Sequence, residues 1–469
     1  MSLRLVLLDM SERVWANSSA SREATPTGRT RTPNSPRNWN CHFAKLAEGP
    51  YPRLPAAAEF RSAAWLRAES SDISGSAPWA RCSLRAVPTG RGATIRAAVS
   101  RGVGLPPSIE ELRLDAPGAG EVRVVVEACA VCHSDLSYVD GTWSTTFPLV
   151  LGHEAAGRIA ETGNGVDDLA SGDPVLVSLI RTCGECRACR RGHDVVCSGE
   201  FALSTRSPLS DADGNRIPQG LNVAGFATQV VVHRSQVTLL PDDVDLVEAS
   251  LLGCGVLTGS GAVTNTAGVS EGDAVVVVGC GGVGIGAIQA ARIAGASTIV
   301  AVDPVAGKRN AARRFGATHV LDPATDDLAP AVTAATGGPL ADHLFVTTGA
   351  PAALAGAIDL VAPMGNLVIV GMPADDFTIQ VAPSWLAAAN KSILGSKLGT
   401  SRLAVDVPAL IDHHRAGRLD LTGMVTSTHP LADLAIAFDE VRSGEVLRTV
   451  ILPNSHTGAT ATDVPGGPT

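Results

Sequence analysis

The sequence predicts an α/β protein, a β-rich domain followed by a doubly wound parallel sheet, and three observations predict it. Its 469 residues exceed what one hydrophobic core usually serves, so two domains with some excess chain are expected. From about residue 270 to 396, apolar strands alternate with helical stretches: DAVVVVG, then GVGIGAIQAARIAG, then TIVAVD, then a helix leading to Phe315. Ahead of this, from Thr94 to about residue 255, strand-like runs such as IRAAV and EVRVVVEA are separated by glycine-dense loops. A composition of 45% hydrophobic and 18% charged residues is that of a globular chain.

Residues 1–92 come first, rich in Arg, Ser, Ala and Pro, nearly free of Lys and without sustained periodicity. They are expected to be a low-complexity, disordered extension or an upstream-misplaced start. A transit peptide ranks second, because Glu12, Glu23, Glu48, Glu59 and the scattered prolines interrupt a basic amphipathic helix. Residues 93–256 then read as the first part of the β-rich domain and 257–398 as the parallel-sheet domain. Residues 399–455 read as a helix and strand that return to the first domain, and 456–469 as a Gly/Thr/Pro-rich flexible tail. A formal net charge of -9 argues against binding to a phosphate backbone, so nucleic acid is not an expected partner. No run of about 18 apolar residues occurs, and the apolar stretch after Met1 lacks a signal-peptide cleavage context. No membrane association and a cytoplasmic location are therefore expected.

Six of the ten cysteines fall in patterns that suit metal better than disulfides. Cys183, Cys186, Cys189 and Cys197 form a set with two-residue gaps and one longer return. Such gaps aim successive sulfurs at one point, and four thiolates close a tetrahedral zinc site with no open position, which makes it structural. An iron–sulfur cluster and an accidental cysteine-rich loop are the competing readings. A second, dispersed set is Cys132 in CHSD, His153 and Glu154 in GHE, and Cys254 in LLGCG. Two thiolates and an imidazole with a fourth position open make a catalytic zinc site, where the metal lowers the pKa of an alcohol so that its carbon can release hydride. Singly, each of these residues reads better as core; the combination changes that. Glu154 is either a supporting carboxylate or a transient ligand. Cys41, Cys82, Cys129 and Cys280 are left without a role.

The third signal is the glycine turn Gly279, Gly281, Gly282, Val283 and Gly284, between the strand DAVVVV and the helix GVGIGAIQAARIAG. The glycines permit the tight turn, the approach of a pyrophosphate and close helix–strand packing, with a helix N-terminus facing the phosphates. Asp303 closes the next strand, nineteen residues beyond Gly284, where a carboxylate accepts from the adenosine ribose hydroxyls and repels a 2′-phosphate. NAD is therefore expected over NADP. An ordinary helix cap is the competing reading of Asp303.

With these motifs in hand, the sequence resembles the zinc-containing medium-chain dehydrogenases, in the branch of alcohol and thiol-dependent formaldehyde dehydrogenases. The resemblance covers roughly residues 94–453, with CHSD, GHEAAG, CGECRACRRGHDVVC, LLGCGVLTGSGAV, GCGGVG, AVDPVAGK and GEVLRTVIL in the family's order. It implies a GroES-like catalytic domain, a Rossmann coenzyme domain, NAD, and two zinc ions per chain. It also implies that Cys132, His153 and Cys254 bind the catalytic zinc and that Ser134 takes the alcohol proton. His133 and Arg448 would sit near the pyrophosphate, Lys308 beside Asp303 at the ribose, and Thr258 and Val283 at the nicotinamide. Where the family's relay often ends in a histidine, this chain has Ser137, so the proton is expected to leave from Ser134 through the ribose to water. Trp143 and Leu179 match positions that line the alcohol channel of relatives. Several segments look most like mycothiol-dependent formaldehyde dehydrogenases, for which Arg206, Arg187, Arg190 and Arg191 could meet an anionic thiol. The expected substrate is a primary alcohol or aldehyde, or a low-molecular-weight thiol adduct, and a homodimer paired through the sheet edge near residues 385–400 is expected. A zinc-free reductase of the same superfamily and a non-enzymatic zinc-stabilised binding protein are the alternatives.

Overall fold

The structure, a computed structural model, describes residues 92–455. The expectations for the extension ahead of residue 92 and for the tail 456–469, and Cys41 and Cys82 with them, lie outside the described residues.

The first domain is organised around the strand Glu121–Ala130, whose Val122, Val124 and Val126 are fully buried, as alternation along a half-covered sheet requires. It pairs antiparallel with Glu154–Thr162, Gln229–His233 and Arg448–Leu452. The sheet runs in the order Val237–Leu239, Pro174–Val177, Glu154–Thr162, Glu121–Ala130, Arg448–Leu452, Val425–Pro430. The last strand in sequence thus sits beside the first domain's central one, with Val450 opposite Ala130 and Ile451 opposite Cys129. A smaller antiparallel sheet runs Leu149–Val150, Ala93–Ser100, Ser108–Leu114, Leu209–Ser210, Arg216–Ile217.

The second domain is a six-stranded parallel sheet in the order His319–Leu321, Thr298–Val302, Ala274–Val278, Ala341–Val346, Val361–Ile369, Ser392–Gly395. Helices including Gly282–Ala294, Ala306–Phe315 and Leu328–Thr336 link these strands. Val275, Val276 and Val277 are all fully buried, because a parallel sheet is covered on both faces. The strand order reverses beside Ala274–Val278, and in doubly wound sheets ligands bind at that point, beyond the carboxyl ends of the strands.

Between the sheets lies a bent helical segment, Leu246–Gly253 followed by Gly255–Ala267, with Cys254 at the bend. It is apolar because it is core. No single helix among the described residues is long and apolar enough to cross a membrane. Helix Gly255–Gly261 meets helix Gly282–Ala294 at backbone distance, since a Cβ on Gly259 would fall 2.0 Å from the Val283 carbonyl oxygen. The C-terminal portion holds more than one helix and one strand. Helix Leu403–Arg415 buries Val407, Leu410 and Ile411 in the same cluster as Ile285 and Ile288, while helix Leu434–Ser443 packs Phe438 against the first domain's core.

Candidate active site and metal centres

The segment from Cys183 to Cys197 has little regular structure beyond two short turns, Cys189–Arg191 and Asp194–Val196. Its backbone is organised around sulfur. The Cys186 N–H donates to Cys183 Sγ (3.3 Å), Cys189 N–H to Cys186 Sγ (3.4 Å), and both Cys183 N–H and Gly199 N–H to Cys197 Sγ (3.3 Å each). The four sulfurs lie within 4.8 Å of one another and none is in a disulfide. Cys186 Sγ and Cys197 Sγ are 4.0 Å apart, against about 3.8 Å for two sulfurs each about 2.3 Å from a tetrahedral zinc. The backbone N–H of Cys189 holds the Cys186 thiol down, at about 5, whereas burial pushes Cys189 up to about 12. Four sulfurs this close do not all ionise unless a cation joins them, so donor type, spacing and N–H···S bonds fit a metal.

The second set assembles from three distant stretches. Cys132 follows the strand Glu121–Ala130 and starts helix His133–Val139; His153 and Glu154 open the strand Glu154–Thr162; Cys254 stands at the bend between the domains. The ligand atoms of Cys132, His153, Glu154 and Cys254 all lie within 4.8 Å of one another, and all four residues are buried. Gly152 makes this possible: its φ is +89°, and a Cβ there would meet the Phe226 nitrogen at 2.6 Å. A hydrogen bond between the Cys132 and Cys254 sulfurs holds the Cys132 thiol well below its usual range and pushes Cys254 well above it.

A residue that sequence reading missed controls this cluster. Asp135 is fully buried and accepts from the Cys132 N–H (3.1 Å), the Gly152 N–H (3.0 Å) and His153 Nδ1 (3.2 Å). With Nδ1 engaged by a carboxylate, His153 presents a bare Nε2, which has no hydrogen-bond partner. Glu154 is likewise half satisfied, one oxygen held by Arg448 and the other unpartnered. Two sulfurs, an orphaned imidazole nitrogen and a carboxylate oxygen in one buried spot fit a zinc ion. The only sequence signal for Asp135 is its place in CHSD, three residues after Cys132.

The glycine turn follows the strand Ala274–Val278. Gly279 has φ +96°, and a Cβ on Gly284 would lie 1.9 Å from the Gly279 carbonyl oxygen, whereas Gly281 faces open space. Asp303 is 5% exposed and braces this turn: its carboxylate accepts from the Cys280 N–H (2.7 Å) and the Val305 N–H (2.8 Å). Arg448, also 5% exposed, lies across the start of helix Gly282–Ala294; Cβ atoms on Gly282 and Gly255 would sit 2.4 and 3.0 Å from its side chain. It therefore bridges the Glu154 cluster to the glycine turn, and its Nε has no partner. Lys308 stands on the next helix, Ala306–Phe315. Thr258 Oγ1 is 3.8 Å from Cys254 Sγ, and Val283 is half-buried on the facing helix.

Ser134 is half-buried at the start of helix His133–Val139, beside an exposed His133. Ser137 is not poised for relay: its hydroxyl donates back to the His133 carbonyl (3.0 Å). Trp143 packs edge-on against Tyr138, with ring centroids 5.4 Å apart, and its indole Nε1 is buried without a partner. Leu179 is half-buried against the cluster that contains Cys132 and Cys254. Arg206 is paired with Glu121 at 2.7 Å and Asp115 at 3.4 Å. Arg187, Arg190 and Arg191 are exposed on the four-cysteine lobe. Cys129 and Cys280 are buried, with thiols pushed up by burial.

Comparison with known proteins matches these features. Residues 118–242 match the family model of the alcohol dehydrogenase GroES-like domain, and residues 282–413 that of the zinc-binding dehydrogenases. An NDMA-dependent alcohol dehydrogenase of Amycolatopsis methanolica is 35% identical over 369 residues, 76% of this chain and 98% of that protein. A probable S-(hydroxymethyl)glutathione dehydrogenase of Schizosaccharomyces pombe is 34% identical over 77% of this chain and 98% of its own length. The crystal structure of benzyl alcohol dehydrogenase from Acinetobacter calcoaceticus superposes with a TM-score of 0.72 at 30% identity, covering 77% of this chain and 99% of that one.

Proposed function

This chain belongs to the zinc-containing medium-chain alcohol dehydrogenase family, and on that premise we propose that it interconverts a primary alcohol and its aldehyde, with NAD as hydride acceptor. A thiol hemiacetal and its thioester are the specialised form of the same reaction, supported by the similarity to the hydroxymethylglutathione dehydrogenase. The observation that carries the reading is the meeting of Cys132, His153, Cys254 and Glu154 with Arg448, which joins them to the glycine turn.

Cys132, His153 and Cys254 would hold the catalytic zinc, and the four-cysteine lobe a second, structural ion. Bound zinc supplies Lewis acidity at the alcohol oxygen, and bound NAD accepts the hydride. The protein's own groups do the rest. Asp135 fixes the ring of His153, and burial of the whole cluster excludes water. Ser134 would take the hydroxyl proton at its Oγ and, with NAD bound, hand it on toward water, while the Ser137 hydroxyl stays on the His133 carbonyl. Gly279, Gly281, Gly282 and Gly284 would admit the pyrophosphate, with Arg448 as its cationic neighbour and His133 as a neutral hydrogen-bonding one. Asp303 keeps lone pairs that would accept from ribose hydroxyls and would repel a 2′-phosphate, with Lys308 on the next helix; Thr258 and Val283 would flank the nicotinamide. The protein is cytoplasmic in this reading, where thiols stay reduced. Two copies pair through the open sheet edge at Ser392–Gly395.

The test is a screen of zinc-loaded protein against primary alcohols, and against formaldehyde with mycothiol or glutathione, following reduced nicotinamide with NAD and NADP in parallel. Activity with NAD, and about two zincs per chain, supports the proposal. A metal-free protein that is active points to the zinc-free reductases, and one zinc with no turnover to a binding protein.

A further inference from the structure

The Asp135 carboxylate orients two members of the buried cluster, Cys132 through its N–H and His153 through its ring, and its remaining bond goes to Gly152. The third sulfur is placed by other means. Cys254 stands at the bend of the interdomain segment with φ -150° and ψ -66°, angles of neither helix nor strand. On its C-terminal side its carbonyl accepts from the Thr258 N–H (2.7 Å), as a first helical turn does. On its N-terminal side the peptide leading into it is held by a side chain: Ser178 Oγ donates to the Gly253 carbonyl at 2.7 Å.

Serine hydroxyls commonly bond backbone a few residues away. This one reaches 75 positions along the chain, to the peptide just before Cys254. Gly253 is buried and pressed against the neighbouring strands, since a Cβ there would lie 2.9 Å from the Glu154 Cα and 3.2 Å from the Val177 carbonyl oxygen. A carbonyl enclosed in this way is costly to leave without a donor.

The fold also fixes the direction of the hydroxyl. Ser178 is fully buried at the end of strand Pro174–Val177, and Gln236 clamps its backbone from both sides. The Ser178 N–H donates to the Gln236 carbonyl (2.9 Å), and the Ser178 carbonyl accepts from Gln236 Nε2 (3.0 Å). Gln236, also fully buried, has its whole amide engaged: Nε2 donates as well to the Asn222 carbonyl (3.1 Å), and Oε1 accepts from the His233 N–H (3.2 Å) and Arg181 Nε (2.9 Å). Such an amide cannot turn without breaking several buried bonds. The bonds thus run without a gap from Gln236 through Ser178 and Gly253 to Cys254.

We propose that Ser178 is a positioning residue for Cys254: by holding the Gly253–Cys254 peptide it sets the direction of the third sulfur, with Gln236 fixing Ser178 in turn. The inference rests on the dehydrogenase reading above and adds to it a residue outside the ligand set. Without the hydroxyl, the buried Gly253 carbonyl must find another donor, the peptide turns, and the sulfur moves with it.

The test uses the full-length chain, once with zinc in both sites and once with cobalt(II) at the buried site, where the cobalt–thiolate absorption band reports the placing of the sulfurs. In Ser178→Ala, metal affinity at that site is expected to fall by about tenfold in chelator competition, as on loss of a group that orients a ligand. The cobalt band is expected to shift and kcat to fall, while KM, NAD affinity and the ion of the four-cysteine lobe stay as in the parent. Ser178→Thr, which keeps the donor, is expected to retain the parent's affinity and band. Parent-like affinity and band in Ser178→Ala overturn the proposal, as does equal weakening of both metal sites or an equal loss in Ser178→Thr. If Ser178→Ala does not fold, Ser178→Cys, with only a weak S–H donor in the same place, is expected to show the affinity loss and the band shift, and parent-like values there overturn the proposal. A parent chain that takes metal in the lobe alone ends the dehydrogenase reading and this inference with it. A parent with both sites filled and an indistinguishable Ser178→Ala ends the inference only.

Discussion

Asp135 orients three groups of the buried Cys132–His153–Cys254 cluster through its two oxygens. In Asp135→Asn an amide N–H₂ replaces one acceptor and meets donors already in place, so His153 loses its fixed tautomer. Metal affinity at this site is expected to fall by about 10- to 100-fold, read by chelator competition, while the four-cysteine lobe keeps its ion. Loss of both ions together would show that the residue acts on folding instead. Ser134 is proposed instead to move a proton. Ser134→Ala is expected to keep full zinc content and lose about 10²- to 10⁴-fold in hydride-transfer rate; an unchanged single-turnover rate would remove it from the relay.

Two elements place these residues. The bent segment through Cys254 is pressed onto the coenzyme helix at Gly259, where the obstructing atoms are backbone, the Val283 carbonyl and the Ala287 nitrogen. Gly259→Ala therefore forces the helices apart, at a cost of about 1–3 kcal/mol, and calorimetry is expected to show Tm lower by several degrees. The four-cysteine lobe depends on its sulfurs rather than on helix or strand. Cys183→Ser is expected to free one zinc per chain and to open the segment between residues 181 and 199 to protease, with the second zinc retained; resistance equal to the parent would mean the lobe packs without metal.

Across the whole molecule, the Arg448–Glu154 pair joins residues 294 positions apart and ties the returning strand to the metal cluster and the glycine turn. Removing one partner of a buried pair leaves the other charge uncompensated, which costs about 3–5 kcal/mol. Arg448→Gln is expected to lower Tm and to weaken NAD binding in the same variant, measured by calorimetry and by fluorescence titration. Stability lost with NAD affinity intact would confine Arg448 to a structural role.

The short-range features were legible in the residues: the parallel sheet in its alternation, the turn in Gly279–Gly284, and the four-cysteine set in its spacing. These depend on geometry within a few residues of one another, where spacing is nearly the whole of the physics. Tertiary packing alone decided the rest. It gave Arg206 to Glu121 across 85 positions, turned Ser137 onto its own backbone, and put Asp135 behind His153. Which partner a charged or polar side chain finds depends on what the sheets bring within a few ångströms of it, and no local pattern records that.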